Sequence, residues 1–535
     1  MTRSALNGRA ARAAYYVQAA PAPSRGLSIP APVGGWDAIS PLAAMPETSA
    51  ITLVNAFPQA SYIEIRRGHR VHNDLDPAVS PVETLMAYNA LDPADDKLFA
   101  VAGSAIYDVT ATASGTITAA FTGLTSARIN HLNVSTTGGN FLWCPNGTDD
   151  PVYYDGSVWA TASITGVTGG DIISGAVFKN RVYLTIKNSL SPAYLNVDSI
   201  QGTAAPFDTQ GVFKKGGFLQ AIGSWSLDGG DGPDDYIAFV TSRGEVAIYQ
   251  GDNPNTNFVL KGVYEMGAPI GRRCLTKVGA DLAVICIDGV VPLSKALITD
   301  RAAAINIALT KAIQPVVNKS ARTYGSSFGW QLIGYPRGTR AILNVPITQG
   351  VQQEQYVMNT VTGAWCKFTG ENANCWELFK DRLFYGGNAG KVYEADCMDA
   401  DVDGPFDFDI ETSFNYCGAR GQLKQFNMAR ALLTTDGRIL PGIALNVDFS
   451  RNVEVDQIEV EVAQSALWDV ANWDEGVWPQ VVNIQTDWIS VSGVGYCASI
   501  RAKGTVGSEL SANPGEPAVT QINGWDLLVV DGGLV

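Results

Sequence analysis

The chain has 535 residues, enough for two or three domains with full cores, and its 17% charged residues and 55 glycines favour a turn-rich body with large buried or partner-facing surfaces. A net charge of −15 argues against a conventional nucleic-acid binder, because phosphates would meet repulsion in place of cations. No run of about 18 apolar residues occurs, so no membrane span is predicted and the protein is expected to be soluble or part of an assembly.

The charge is unevenly spread. Residues 1–35 hold Arg3, Arg9, Arg12 and Arg25 with no carboxylate and end in Pro30-Ala31-Pro32-Val33-Gly34-Gly35. They are predicted as an extended N-terminal arm, with residues 5–20 able to form a helix on a partner. A basic arm on an acidic protein is either a solvated tail or a segment that docks on an acidic partner.

From about residue 83 a repeat emerges. A phrase occurs twice, Phe178-Lys179-Asn180-Arg181-Val182-Tyr183 and Phe379-Lys380-Asp381-Arg382-Leu383-Phe384. Each copy reads as a strand end, a tight polar turn and the start of a second strand, since Asn and Asp tolerate turn geometry and the flanks suit a sheet. Similar hairpin starts lie near residues 96, 140, 180, 235, 281, 330 and 381, spaced by 44, 40, 55, 46, 49 and 51. Roughly 40–50 residues is the length of a four-stranded propeller blade. Residues 36–398 are therefore expected to form a β-propeller of six to eight blades, although an elongated series of β-sandwiches has similar hairpins. Residues 300–317 interrupt the repeat: Ile305, Leu309, Ile313 and Val316 approach helical spacing, with Asp300 as cap and Pro315 at the end. A helix inserted between blades is predicted there.

The repeat stops near residues 398–406. Residues 399–535 carry short strand-like runs at 411–416, 429–435, 443–449, 453–462 and 496–502, and are predicted as an acidic β-sandwich domain. Residues 401–535 hold 19 Asp or Glu against 7 Lys or Arg, a net of −12. Trp468, Trp473 and Trp478 recur every five residues, a period of neither helix nor strand, and are expected to staple an irregular loop; a carbohydrate-binding aromatic row is the alternative.

Chemistry is sparse. The eight cysteines form no C-x-x-C pair or zinc spacing and are expected as buried free thiols of a reducing cytosol; no secretory signal is read at the N-terminus. Of the three histidines, His69 and His72 are placed in a polar loop and His131 has no nucleophile beside it. The Asp155–Trp159 turn is one residue short of a sialidase Asp box, and Gly386–Val392 lacks a phosphate loop's spacing. No enzymatic activity is expected. The most specific signal is Asp399, Asp401 and Asp403 before Gly404, alternate carboxylates that can begin a calcium loop. The acid needed at the twelfth position comes one residue late, at Glu411, so an acidic interdomain turn is the competing reading.

Residues 34–68 include Gly34-Gly35-Trp36-Asp37, Pro41-Leu42, Met45-Pro46, Asn55, Phe57-Pro58 and Arg66-Arg67-Gly68, followed by Val82-Glu83-Thr84-Leu85-Met86-Ala87-Tyr88-Asn89. Together with Asn415-Tyr416, Gly418-Ala419-Arg420-Gly421, Lys424-Gln425-Phe426 and the Trp-Asp pairs, this text resembles the β-propeller nozzle or tail-hub proteins of short-tailed bacteriophages. The resemblance runs from about residue 33 to the end. It implies a structural virion protein, made in the host cytoplasm, that forms a ring, usually a hexamer, below the portal and its adaptor. Such a ring extends the DNA-ejection channel and anchors tail fibres or spikes. DNA would slide past acidic walls without specific binding, and Arg3, Arg9 and Arg12 would contact the adaptor. Two other classes stay open: a receptor-binding or polysaccharide-degrading tail component, and a propeller scaffold adaptor independent of any virion.

Overall fold

The computed structural model describes residues 24–75, 80–113, 117–209, 211–228, 233–279, 281–435, 441–451, 453–455, 483–485, 487–507 and 520–534. Among the described residues, six small antiparallel sheets and the first four strands of a nine-stranded sheet follow one another along the chain as the seven blades of a β-propeller. Their first strands are Val82–Tyr88, Leu132–Thr136, Ile172–Phe178, Leu219–Asp228, Leu275–Val278, Gln331–Tyr335 and Cys375–Phe379. The fifth blade has three described strands, ending at Gly289–Pro292. The seventh is closed by the strand Gly68–Asp74, which pairs with Lys391–Met398, so an early strand completes the last sheet and locks the ring.

The twice-written phrase forms the first hairpin of blades three and seven. Phe178 pairs with Arg181 and Phe379 with Arg382, leaving two-residue turns. Lys179 and Asn180 have φ of 49° and 56°, and Lys380 and Asp381 have 49° and 57°. Left-handed backbone at both central positions is the type I′ geometry, whose twist matches that of the flanking strands, and Asn and Asp tolerate it better than most residues. Six of the seven expected hairpin starts fall within two residues of a blade's second strand. The exception, Trp330, precedes the first strand of blade six.

The inserted helix is shifted. Residues 300–317 fold as short 3-10 and α turns, and the eleven-residue helix is Gln314–Tyr324. Pro315 opens this helix because its missing N–H costs nothing in the first turn, whereas it would leave a gap at a helix end. Ile313, Val317 and Ala321 pack with Trp330, Leu343 and Trp365 of the adjacent blade, so the apolar face is core.

The second body is built from both ends of the chain, which moves the expected boundaries at 35/36 and 398/399. Ser24–Pro30 pairs with Thr520–Leu534 along its whole length, and Ser49–Val54 pairs with Phe406–Thr412. Residues 24–65 thus belong with residues 406–534, and the propeller begins at Gly68. One sheet centres on Gln422–Thr435 and Thr520–Leu534; the other contains Ser49–Val54, Phe406–Thr412, Ala498–Val506 and Gly442–Val447. That second sheet continues into blade six through Val54 and Lys367. Leu53, Phe408, Ile410, Phe426, Trp525 and Leu527 share one core with Phe368, Trp376 and Tyr385 of blades six and seven, so propeller and sandwich are fused. The expected strand at 453–462 and Trp468, Trp473 and Trp478 lie largely or wholly outside the described residues. Of the eight free cysteines, all but the half-buried Cys397 are buried.

Candidate functional site: the plugged axis of the propeller

The first strands face the propeller axis, and side chains from all seven blades surround one cavity of about 240 Å3 there. The segment entering blade five sends two consecutive arginines across it. Arg273 donates through Nη2 to the Glu83 carbonyl at 3.1 Å, Thr84 Oγ1 at 2.7 Å and the Ile129 carbonyl at 3.1 Å, all on blades one and two. Arg272 donates to the Asn146 carbonyl of blade two at 3.0 Å. Blades one and two lie across the ring from blade five, so these arginines tie opposite walls.

The loop that receives Arg272 is shaped for it. Asn146 accepts the N–H groups of Thr148 and Asp149 at 2.9 and 2.8 Å, turning the chain sharply. Gly147 has φ +77°, and a Cβ there would stand 2.8 Å from Ile173 and 3.0 Å from Arg272 Nη1. Glycine is required on both counts.

A second cross-axis contact places His131 Nε2 3.3 Å from Glu377 Oε2, joining blades two and seven. Both side chains keep about a fifth of their surface open, 22% and 18%, yet sit deep in the wall. Burial pushes Glu377 up to about 8, against a smaller opposing pull from the Leu378 N–H and Arg273. Burial and the Arg273 charge push His131 down to about 4. At neutral pH the acid therefore keeps its proton and the imidazole is uncharged. Above them Arg128 pairs with Glu83 at 2.9 Å and lies over the Phe328 ring, 4.4 Å from its centroid. Cys375, the nearby thiol, is pushed up to about 12 by burial. A neutral acid, a neutral base and a protonated thiol make a lock, with no activated nucleophile among them.

The sequence-predicted residues lie elsewhere. Asp401-Val402-Asp403-Gly404 is a tight turn closed by hydrogen bonds of 3.1 and 3.0 Å between Asp401 and Gly404. The Asp401 carboxylate faces Arg66, receiving Nη1 at 2.8 Å and Nη2 at 2.6 Å, with His69 Nδ1 3.0 Å away. Arg66 satisfies all five donors, adding Asn55 Oδ1, the Arg67 carbonyl and the Thr369 carbonyl, and stacks 3.8 Å from the Phe406 centroid. Burial works against the Asp401 charge, but the hydrogen bonds of Arg66 and His69 outweigh it and hold the carboxyl at about 2. This cluster clasps the propeller to the sandwich. Among the described residues no group of three His, Cys, Asp or Glu is arranged to hold a metal. Asp403 is exposed on the turn, and Glu411 is spent on Arg451 at 2.6 Å. Arg3, Arg9 and Arg12 lie outside the described residues.

His69 and His72 are not in a polar loop: both are buried on the closing strand Gly68–Asp74, where His72 contacts the Val109 carbonyl at 2.9 Å. Sequence reasoning passed over Arg272, Arg273 and Glu377. Their only signal was a pair of adjacent arginines in a chain poor in charge.

No protein-family model matches the chain. No curated protein matches it either. Among solved structures it is similar to the crystal structure of BBS1N in complex with ARL6DN, soaked with mercury, at a TM-score of 0.38 and 10% identity over 62% of this chain and 98% of that one. The lead-soaked crystal of the same complex gives 0.35 and 10% over 61% and 96%. The propeller assignment rests on the sheets themselves, and no role passes from that complex to this chain. Among the described residues no helix is long and apolar enough to cross a membrane.

Proposed function

We propose that this is a structural, non-catalytic virion protein of a short-tailed phage, assembling as a ring below the portal and adaptor. The reading is carried by the resemblance of residues 34–68 to tail nozzle proteins, and by what those residues do. Gly35, with φ +80°, would place a Cβ 2.7 Å from the Trp365 backbone; Asn55 and Arg66 form the clasp; Phe57 is fully buried. The text that carries the likeness is thus the text that fuses propeller to sandwich, which is what a likeness of architecture requires.

Two further features support the reading. The axial cavity of about 240 Å3 is crossed by arginines, so DNA has no path through a single propeller and its conduit would be the ring between copies. Of the net −12 in residues 401–535, eight charges come from residues 456–482 and 508–519, which hold six and two carboxylates and no Lys or Arg. In this reading the acidic C-terminal domain lines part of the channel, the ring anchors fibres or spikes, and Arg3, Arg9 and Arg12 meet the adaptor.

Negative-stain images and mass photometry of the purified full chain test the proposal. Rings of about six copies are expected. Single toroids at micromolar concentration, with none incorporated by portal–adaptor particles, would overturn it in favour of a free-standing scaffold.

A further inference from the structure

We infer that the axial cavity is a binding site for one small tetrahedral oxyanion, held by Arg272 and Arg273 and independent of ring assembly. The cavity of about 240 Å3 is below the usual range for drug-sized ligands, about 300–1,000 Å3, and suits a sulfate- or phosphate-like ion with a few waters. Its polar lining is Asn130, Ser174, Arg272, Arg273 and Thr276, beside His131 and Gln331. Two buried donors on this wall lack partners, Arg273 Nη1 and Ser174 Oγ. Arg273 lies 5.1 Å from the Phe328 centroid, but a ring face is a weak substitute for an acceptor.

The local charge balance is the decisive observation. The protein is acidic overall, yet no carboxylate forms an ion pair with Arg272 or Arg273 among the described residues, and every charged neighbour is otherwise committed. Glu83 is bound to Arg128, and Glu377, facing His131, keeps its proton. Burial lowers the pKa of both arginines; at Arg273 it outweighs the opposing pull of Cys375, Glu377 and Glu83, and Arg128 adds repulsion at both. The other arginines with a displaced pKa, Arg66, Arg301, Arg340, Arg382 and Arg501, are all raised by an Asp or Glu. A buried guanidinium that is not matched by protein charge is costly, and an anion in the adjacent cavity offsets that cost. Guanidinium forks match tetrahedral oxyanions in geometry as well as charge.

Sulfate is the suitable probe because its charge is constant across the working range. Titration of the full chain with sodium sulfate at fixed ionic strength, followed by calorimetry, is expected to show saturable binding of one ion per chain. Arg272→Gln, at the more exposed of the two side chains, is expected to weaken it at least tenfold, and Arg273→Lys to weaken it while keeping the fold. Absence of saturable binding beyond that of an ionic-strength-matched chloride control, or equal binding by wild type and Arg272→Gln, overturns the inference. Ring formation is scored separately on the same samples, so failure here is distinguishable from failure of the assembly reading.

Discussion

Replacing Glu377 with Gln tests the cross-axis lock directly. The amide keeps the shape and the contact with His131 but cannot ionise. Because burial raises the Glu377 pKa from 4.5 to about 8, its contribution is intact below about 4.5 and is lost as pH rises through 8. Between pH 5 and pH 9 the loss spans about three pKa units, or about 4 kcal/mol at 1.36 kcal/mol per unit. His131 is displaced the other way, so its contribution is present above 6.5 and lost as pH falls toward 4, but it is common to both proteins and cancels in their difference. With about 2.1 cal/mol/K of unfolding entropy per residue, a chain of this size shifts by roughly 1 °C per kcal/mol if it melts as one unit. The advantage of Glu377→Gln over wild type is thus expected to grow by about 4 °C from pH 5 to pH 9 in differential scanning fluorimetry. A difference that stays flat across that range refutes the assignment of a protonated acid at the axis.

Asp401→Asn leaves Arg66, 1% exposed, without its counter-charge, and is expected to cost about 3–5 kcal/mol in guanidinium denaturation. Since the Asp401 carboxyl is held at about 2, wild type should keep this contribution above pH 3.8 and lose it as pH falls toward 2; the Asn variant should lack that loss. The same clasp occupies both Asp401 oxygens, so millimolar calcium is expected to leave the melting temperature of wild type unchanged, read by the same fluorimetry. In the I′ turn, Asp381→Gly is expected to be neutral or stabilising and Asp381→Val to cost about 1–2 kcal/mol, because a β-branched residue resists left-handed backbone. Gly147→Ala meets both a φ of +77° and two close atoms, and is expected to cost about 1–3 kcal/mol in the same assay.

The blades were legible because their signal is local. Asn180 and Asp381 mark turns whose backbone few residues accept, and branched apolar flanks mark strands, so the period survived sequence drift. The closing strand Gly68–Asp74 was not legible: its partner lies more than 300 residues away, and Gly68-His69-Arg70 has the composition of a loop. The same separation hid the role of residues 24–65, whose strands Ser24–Pro30 and Ser49–Val54 find their long antiparallel partners beyond residue 405. Pro315 misplaced the helix because proline both ends and begins helices, and the periodic residues before it could not say which. At the axis, Arg272 and Arg273 read as a surface pair, since nothing local reveals that blades one and two stand opposite. The acidic run at 399–403 suggested a loop around an ion; its partner was a guanidinium supplied from 335 residues earlier.

The pairing of Ser24–Pro30 with Thr520–Leu534 also sets a timetable for synthesis. A ribosome adding about 5–20 residues per second takes about 25–100 s to travel from Leu27 to its partner Leu527. During that interval the first-made strands have neither their sheet nor their core, and the propeller itself stays open until Lys391–Met398 meets the strand Gly68–Asp74. Nascent chains of this protein therefore carry unpaired strand edges for most of their elongation, the state in which edge-to-edge pairing with other chains competes with folding.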